Sequence, residues 1–214
     1  MKRLSPTLSA AFAAVLLAGG GAHAHPHVWV TSKSTVVYAP DGRAIGVRHA
    51  WTFDDMFSTF AVQGLESKEK GVYTREELQP LAKVNVESLK EFDFFTFAKA
   101  NGKKASFVDP VEYHLEYKDS VLTLHFLLPF KEPVKAQSLD LEVYDPSYFV
   151  DFAFAEKEPA GLAGAPAACK LTVGKPQQLT REMALRLSQI PPGGQIPENT
   201  YGAQFANKIS VRCP

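Results

Sequence analysis

The alternation of apolar and polar positions along the chain predicts a protein built mainly of β-strands. Residues 28–38 and 44–53 alternate with a period of two residues on either side of Pro40-Asp41-Gly42, which predicts an opening hairpin. The same kind of pattern predicts two later strand pairs, over 111–117 with 121–128 and over 139–145 with 148–154. We therefore expect mostly antiparallel strands.

Residues 54–91 interrupt the strands with a helical pattern. Asp54 can cap a first helix, and a second begins at Thr74, where Glu77 three residues later completes a capping box. Pro80 lies beyond the first turn of that second helix, so we expect a kink or a delayed start. The pattern predicts a helix-loop-helix insertion.

The loop within this insertion, residues 66–77, has the length of a calcium-binding EF-hand loop. Gly71 occupies its sixth position and Glu77 its twelfth, where such loops need a sharp turn and a bidentate carboxylate. Lys68 and Lys70 stand at the third and fifth positions, where an ammonium group would repel a cation. We predict a degenerate loop without calcium, and an ordinary charged turn is the alternative.

The fold class that these patterns indicate is α+β. It is a mainly antiparallel, sandwich-like β domain over 25–156, with the helical insertion at 54–91. Residues 157–168 are rich in Pro, Gly and Ala and read as a linker. Residues 169–214 are predicted to form a small β-α-β appendage.

The first 24 residues have the features of a signal peptide. Lys2 and Arg3 precede an apolar run at 10–17, and Ala22-His23-Ala24 fits a signal-peptidase site. We expect export and, because no later run is long enough, no membrane span in the mature form. The whole sequence has 23 basic and 23 acidic residues, so losing two basic ones leaves 21 against 23. This balance argues against a nucleic-acid partner.

An exported chain meets oxidising conditions, which changes the interpretation of its cysteines. Cys169 and Cys213 are the only two, so we predict that they form a disulfide across the C-terminal segment.

Cleavage after Ala24 creates a mature N-terminus with the sequence His25-Pro26-His27. In an extended chain both imidazoles point to the same side, as a pair of ligands for zinc, nickel, cobalt or copper. Pro26 has no amide hydrogen, which excludes the simple chelate that N-terminal segments form with copper or nickel. Further ligands must come from elsewhere, and we name His49 and Asp151 as candidates.

Enzyme motifs are missing from the sequence, since it contains no nucleophile elbow, P-loop, dinucleotide fingerprint or His-Glu-x-x-His. We therefore expect a protein that is not an enzyme. The alternatives are a copper-dependent oxidoreductase with a histidine brace at His25 and a metal-free structural partner of a permease. His114 and His125 are expected to face each other on the solvent-exposed side of their hairpin, with a weak second metal site as the alternative to simple solvation.

Several blocks of the sequence together match a known family. They are HPHVWV, RHAWTFDDMFSTF, VESLKEFDFFTF, LEYKDSVLTLHFLLPF, VYDPSYFVDFAFAE and GAQFANKISVRCP. Taken together, they resemble the domain-of-unknown-function 1007 family, whose members are labelled as the periplasmic component of an uncharacterised ABC-type transport system. The resemblance implies a periplasmic protein that handles a transition metal, often beside nickel or cobalt permeases. By position, it points to His25, His27, His49, Asp145 and Asp151.

The mature chain is too short for the two lobes of a typical ABC solute-binding protein. An accessory metal-binding subunit of an inner-membrane transporter fits its size better.

Overall fold

Two β-sheets packed face to face make up most of the molecule, with a pair of helices beside them. A computed structural model describes residues 26–188 and 201–214, so the predicted signal peptide and His25 lie outside the described residues. The predicted α+β class with mainly antiparallel strands is confirmed. The strands are β1 (Val28–Tyr38), β2 (Ala44–Phe53), β3 (Thr96–Ala100), β4 (Lys103–Ala105), β5 (Val111–Lys118), β6 (Val121–Val134), β7 (Ser138–Val143), β8 (Val150–Phe154), β9 (Ala160–Ala163), β10 (Lys170–Val173) and β11 (Asn207–Arg212). The helices are α1 (Asp55–Ala61), α2 (Arg75–Leu89) and α3 (Arg181–Ser188).

The first sheet has the strand order β5-β6-β2-β1-β8, and β9 follows β8 along the same edge of β1. Strands β8 and β9 run parallel to β1, while the other neighbours are antiparallel. The second sheet has the order β10-β11-β7-β3-β4 and is antiparallel throughout.

The inner face of the first sheet is covered by two different partners. Near the middle of β2, Val47 packs in a core with Leu141 and Ile209 of the second sheet. Further along the same strand, Trp51 packs in a second core that includes Leu78 of α2. The alternation of β2 therefore buries one continuous face, first under the second sheet and then under the helices.

The β5-β6 hairpin has the predicted register. Leu115 pairs with Leu124, and His114 pairs with His125. Both leucines are buried, which leaves the two histidines on the opposite, outer face.

The helix caps also match the prediction. The Asp54 side chain accepts a hydrogen bond from the Phe57 backbone N–H, and Thr74 and Glu77 form the capping box. Pro80 does not delay α2, which begins at Arg75 and continues past the proline. A proline at that position removes one backbone hydrogen bond without ending the helix.

The pairing predicted between 139–145 and 148–154 is wrong. Strand β7 belongs to the second sheet, whereas β8 pairs with β1 in the first. The connection between them crosses from one sheet to the other, and Tyr148 within it has a left-handed backbone with φ of 56°. After the helices the chain returns to strand only at Thr96, because residues 93–95 adopt positive φ.

The predicted disulfide between Cys169 and Cys213 is confirmed. The C-terminal segment does contain a strand, a helix and a strand, but β11 lies between β10 and β7 and extends the second sheet. The segment is thus more closely integrated than an appendage, since Ile209 and Val211 are buried in the core between the sheets. Strand β9 also lies within the stretch predicted as a linker.

Candidate metal site at the start of strand β1

His27 stands just before β1, at one corner of the first sheet. Val28 and Val30 are buried and Trp29 is 45% exposed, so His27 and Trp29 share the outer face. The His27 backbone N–H donates a hydrogen bond to the Phe149 carbonyl at 2.9 Å. The imidazole ring packs against the Phe149 ring, with centroids 4.7 Å apart. His27 is therefore an exposed candidate ligand whose ring packs against a neighbouring aromatic ring.

Asp151 lies on the same outer face, one strand away. It is in register with Trp29 across the parallel β1-β8 pair, and residues in register point to the same side. Strand spacing and rise place the backbone positions of His27 and Asp151 about 8 Å apart. Burial raises the pKa of the Asp151 carboxyl, and no hydrogen bond from a described residue offsets that rise. This carboxylate has coordination capacity that its surroundings do not use.

Asp54 is close to the same corner but has a structural role. One carboxylate oxygen accepts the Trp29 backbone N–H at 2.9 Å, and the other accepts the Phe57 backbone N–H at 2.8 Å. Asp54 thus links the start of β1 to the start of α1, with a hydrogen bond to each of its oxygens.

The structure places His49 away from this corner. It pairs with Ser34, seven residues along β1 from His27, which corresponds to about 23 Å of strand. His49 is 1% exposed, and its Nδ1 lies 3.0 Å from the Ser34 hydroxyl and its Nε2 3.4 Å from the Thr96 hydroxyl. Both ring nitrogens are engaged inside the core. We therefore leave His49 out of the ligand set.

Asp145 shapes the crossing that leads into β8. One of its oxygens accepts hydrogen bonds from the Ser147 backbone and hydroxyl, and the other accepts the Val150 backbone N–H at 2.9 Å. The side chain is 3% exposed. Asp145 is thus a turn-forming residue that positions the strand carrying Asp151.

The loop at 66–77 has its key carboxylate occupied. The two oxygens of Glu77 accept hydrogen bonds from the backbone N–H groups of Thr74 and Lys68, at 2.8 and 3.0 Å. These bonds hold the pKa of Glu77 below its usual value. The carboxylate that an EF-hand would give to calcium is used here to close the loop.

The chain as a whole was compared with known proteins. The family described as protein of unknown function (DUF1007) matches residues 10–213. The chain belongs to this family. An uncharacterized protein of Haemophilus influenzae is 24% identical over 198 residues, which cover 90% of this chain and 93% of the relative. An uncharacterized 15.5 kDa protein in the trpE 3' region of Spirochaeta aurantia is 27% identical over 93 residues, or 43% of this chain and 66% of the relative.

Two aromatic residues at this corner of the DUF1007 protein were not predicted from the sequence to belong to the site. Phe149 supports the His27 ring, and Tyr148 is buried against Phe205 with centroids 4.4 Å apart. Burial and the nearby Asp151 charge raise the pKa of the Tyr148 hydroxyl. The sequence signal was available for Phe149, because it alternates with Asp151 and so lies on the same face of the strand.

The corner brings two candidate ligands together. Within residues 26–188 and 201–214, no group of three or more His, Cys, Asp or Glu side chains is arranged to hold a metal ion. His27 and Asp151 supply two candidate donors, fewer than the three or four protein ligands of a typical zinc site, and His25 directly precedes the described residues in the sequence. Over the same ranges, no helix is long and apolar enough to cross a membrane.

Proposed function

We propose that this protein is an exported, periplasmic accessory protein of a metal transport system. It binds a divalent transition metal, of the zinc, nickel, cobalt or copper class, through His25 and His27 with Asp151. It passes the metal to or from an inner-membrane transporter. The main support is that His27 and Asp151 lie on one outer face of adjacent parallel strands.

The chemistry of this ligand set suits a borderline divalent metal. Imidazole nitrogen is a good ligand for zinc, copper and nickel, and a carboxylate adds a charged oxygen donor. His25 is two residues before His27, and this is the spacing at which side chains share one face of an extended chain. Cleavage after Ala24 would add the free amine of His25 as another donor.

The surroundings of His27 favour binding in two ways. The Phe149 ring restricts the imidazole, so less side-chain freedom is lost when a metal binds. The half-buried position of Asp151 strengthens its attraction for a cation. Because imidazole binds metals only when neutral, we expect affinity to fall on acidification.

The decisive experiment compares the correctly processed protein with its His25→Ala/His27→Ala variant. Each is titrated with Zn²⁺, Ni²⁺, Co²⁺ and Cu²⁺ by calorimetry. We expect the variant to lose the tightest binding step. Equal binding by the two proteins would contradict the proposal, and a tag at the N-terminus must be avoided because it would block the amine.

A second variant tests the carboxylate. Asp151→Asn should weaken binding by at least about tenfold, while Asp119→Asn in the exposed β5-β6 turn should leave it unchanged. Trp29 is in register with Asp151, whereas Trp51 is buried in the core, so quenching of the exposed tryptophan by Cu²⁺ reports binding at this corner. Unchanged affinity in Asp151→Asn would remove that residue from the ligand set.

The alternatives lead to different observations. A histidine-brace enzyme would consume oxygen or peroxide when loaded with copper, and a metal-free docking module would retain no metal and would be found cross-linked to a permease.

A further inference from the structure

A second pair of histidines lies on the outer face of the first sheet. His114 of β5 is directly opposite His125 of β6. Their rings are nearly parallel, with planes 8° apart and centroids 4.7 Å apart. The pair is separate from the N-terminal corner. Lys33 of β1 is paired with Ala50 of β2, and Ala50 is paired with His125 of β6, so Lys33 and His125 lie at the same level of the sheet. That position is six residues beyond His27, or about 20 Å along the strands.

Each of these rings has a buried nitrogen without a hydrogen-bond partner among the described residues. Among the described residues, nothing forms a hydrogen bond with Nδ1 of His114 or Nε2 of His125, and neither atom is accessible to solvent. One nitrogen of each ring is therefore shielded from solvent, although both side chains are partly exposed. A buried polar atom left in this state costs about 1–3 kcal/mol, and a bound water or ion is one way to offset that cost. Imidazole nitrogens are also the atoms that coordinate metals.

A carboxylate lies beside the pair. Glu116 is on the same outer face of β5, and its Oε2 is 3.5 Å from Nε2 of His125. Arg48, on the neighbouring strand β2, forms its ion pair with Glu112 at 2.8 Å. Glu116 is thus already in contact with one of the two imidazoles.

The surroundings of His114 also favour the neutral ring. Burial, His125 and Arg75 together lower the pKa of His114, so this imidazole is neutral near pH 7. The neutral ring is the form that binds a metal. Arg75 acts in the other direction, because its positive charge opposes a bound cation.

We propose that His114 and His125, joined by Glu116, form a second site for a divalent transition metal on the outer face of the first sheet. No three such side chains in the described part of the chain already have the arrangement of a finished site. Small rotations of the two imidazoles and of the Glu116 side chain are needed to bring their donor atoms around one ion. The site is therefore weaker than a preorganised one and suits Cu²⁺, Ni²⁺ or Zn²⁺, which accept imidazole and carboxylate ligands.

The test uses the His25→Ala/His27→Ala protein as its background, so that the N-terminal site cannot contribute. Titration of this protein with CuCl₂, NiCl₂ and ZnCl₂ should show binding of a single equivalent and a rise in Tm. Adding His125→Asn should abolish both effects. Absence of binding in the background protein, or unchanged binding after His125→Asn, would overturn the proposal.

Two glutamates on β5 give a matched comparison in the same background. Glu116→Gln should weaken binding by at least about tenfold. Glu112→Gln, which removes the ion pair with Arg48, should leave it unchanged. Equal effects of the two substitutions would remove Glu116 from the site.

A spectroscopic readout keeps the proposal testable if a histidine variant fails to fold. In the ¹⁵N-labelled background protein, Zn²⁺ should shift the Nδ1 resonance of His114 and the Nε2 resonance of His125. The buried His49 ring provides the internal control, since its resonances should not move. Unshifted resonances of the pair at saturating Zn²⁺ would refute the proposal, whatever the outcome at the N-terminus.

Discussion

Acidification should destabilise this protein through His49, whose side chain is buried in the core. The Thr96 hydroxyl donates its proton to the Phe94 carbonyl, so Nε2–H of His49 is the donor toward Thr96. Nδ1 then accepts the hydroxyl proton of Ser34. Both bonds require the neutral ring, and a second ring proton would point at the Ser34 donor and place a charge in the core.

The structure gives the size of the effect. Burial lowers the pKa of His49 from 6.5 to about 3. The unfolded chain therefore binds more protons than the folded one between these values, and stability falls as the pH drops below 6.5 toward 3. Each unit within that interval costs about 1.36 kcal/mol, so acidification from about pH 7 to about pH 5 costs about 2 kcal/mol at this site.

The assay is urea unfolding at both pH values, with the disulfide intact and a chelator present. The wild-type protein is compared with His49→Asn, which keeps an acceptor near Ser34 but has no titrating group. We expect the variant to be less stable near neutral pH and to lose about 2 kcal/mol less than the wild type on acidification. Other titrating residues contribute equally to both proteins and cancel. An equal loss in the two proteins would refute the neutral, buried assignment of His49.

Three further predictions concern residues that connect segments distant in the sequence. Asn207→Ala should lower the free energy of unfolding in urea by about 3 kcal/mol. The buried amide is hydrogen-bonded to the backbones of β7 and β8, and its loss leaves buried groups unpaired. A decrease below about 1 kcal/mol would contradict this role. Cys169→Ser/Cys213→Ser should lower the free energy of unfolding by about 4 kcal/mol, since the bridge closes a separation of 44 residues, and unchanged stability would show that the bridge adds nothing. Gly202→Ala should lower the free energy of unfolding by at least about 3 kcal/mol, because the new Cβ would lie 1.7 Å from the Asp145 carbonyl oxygen, and a wild-type Tm would show that this contact relaxes freely.

The features that the sequence predicted correctly are local ones. The hairpin of β5 and β6 follows from alternation and a short turn, which together determine which residues face each other. The caps at Asp54 and Thr74 follow from side chains that bond to backbone groups only a few residues away. Neither kind of feature depends on distant parts of the chain.

The features that the sequence did not predict are long-range pairings. A turn signal at Asp145 suggests a hairpin, but the side chain instead holds a crossing that sends β8 to the other sheet. Alternation alone cannot identify the strand beside which an apolar segment lies. For the same reason residues 169–214 were predicted to form an appendage, whereas β11 joins β7 in the second sheet.

The same difference between local pattern and long-range pairing applies to the candidate ligands. Alternation placed Asp151 opposite the apolar face of its strand, but only the parallel pairing with β1 brings it beside Trp29 and His27. His49 shares a strand face with Val47 and Trp51, and these apolar neighbours already indicated that it would be buried. A histidine flanked on its own face by buried apolar residues is better interpreted as part of the core.

The central claim is that a transition metal binds at the N-terminal end of β1. The most direct measurement is the metal content of protein isolated from the periplasm with its native N-terminus, compared with that of the His25→Ala/His27→Ala variant prepared in the same way. We predict a stoichiometric transition metal in the first protein and a clear loss of it in the second. Equal metal content in the two, or none in either, would contradict this account.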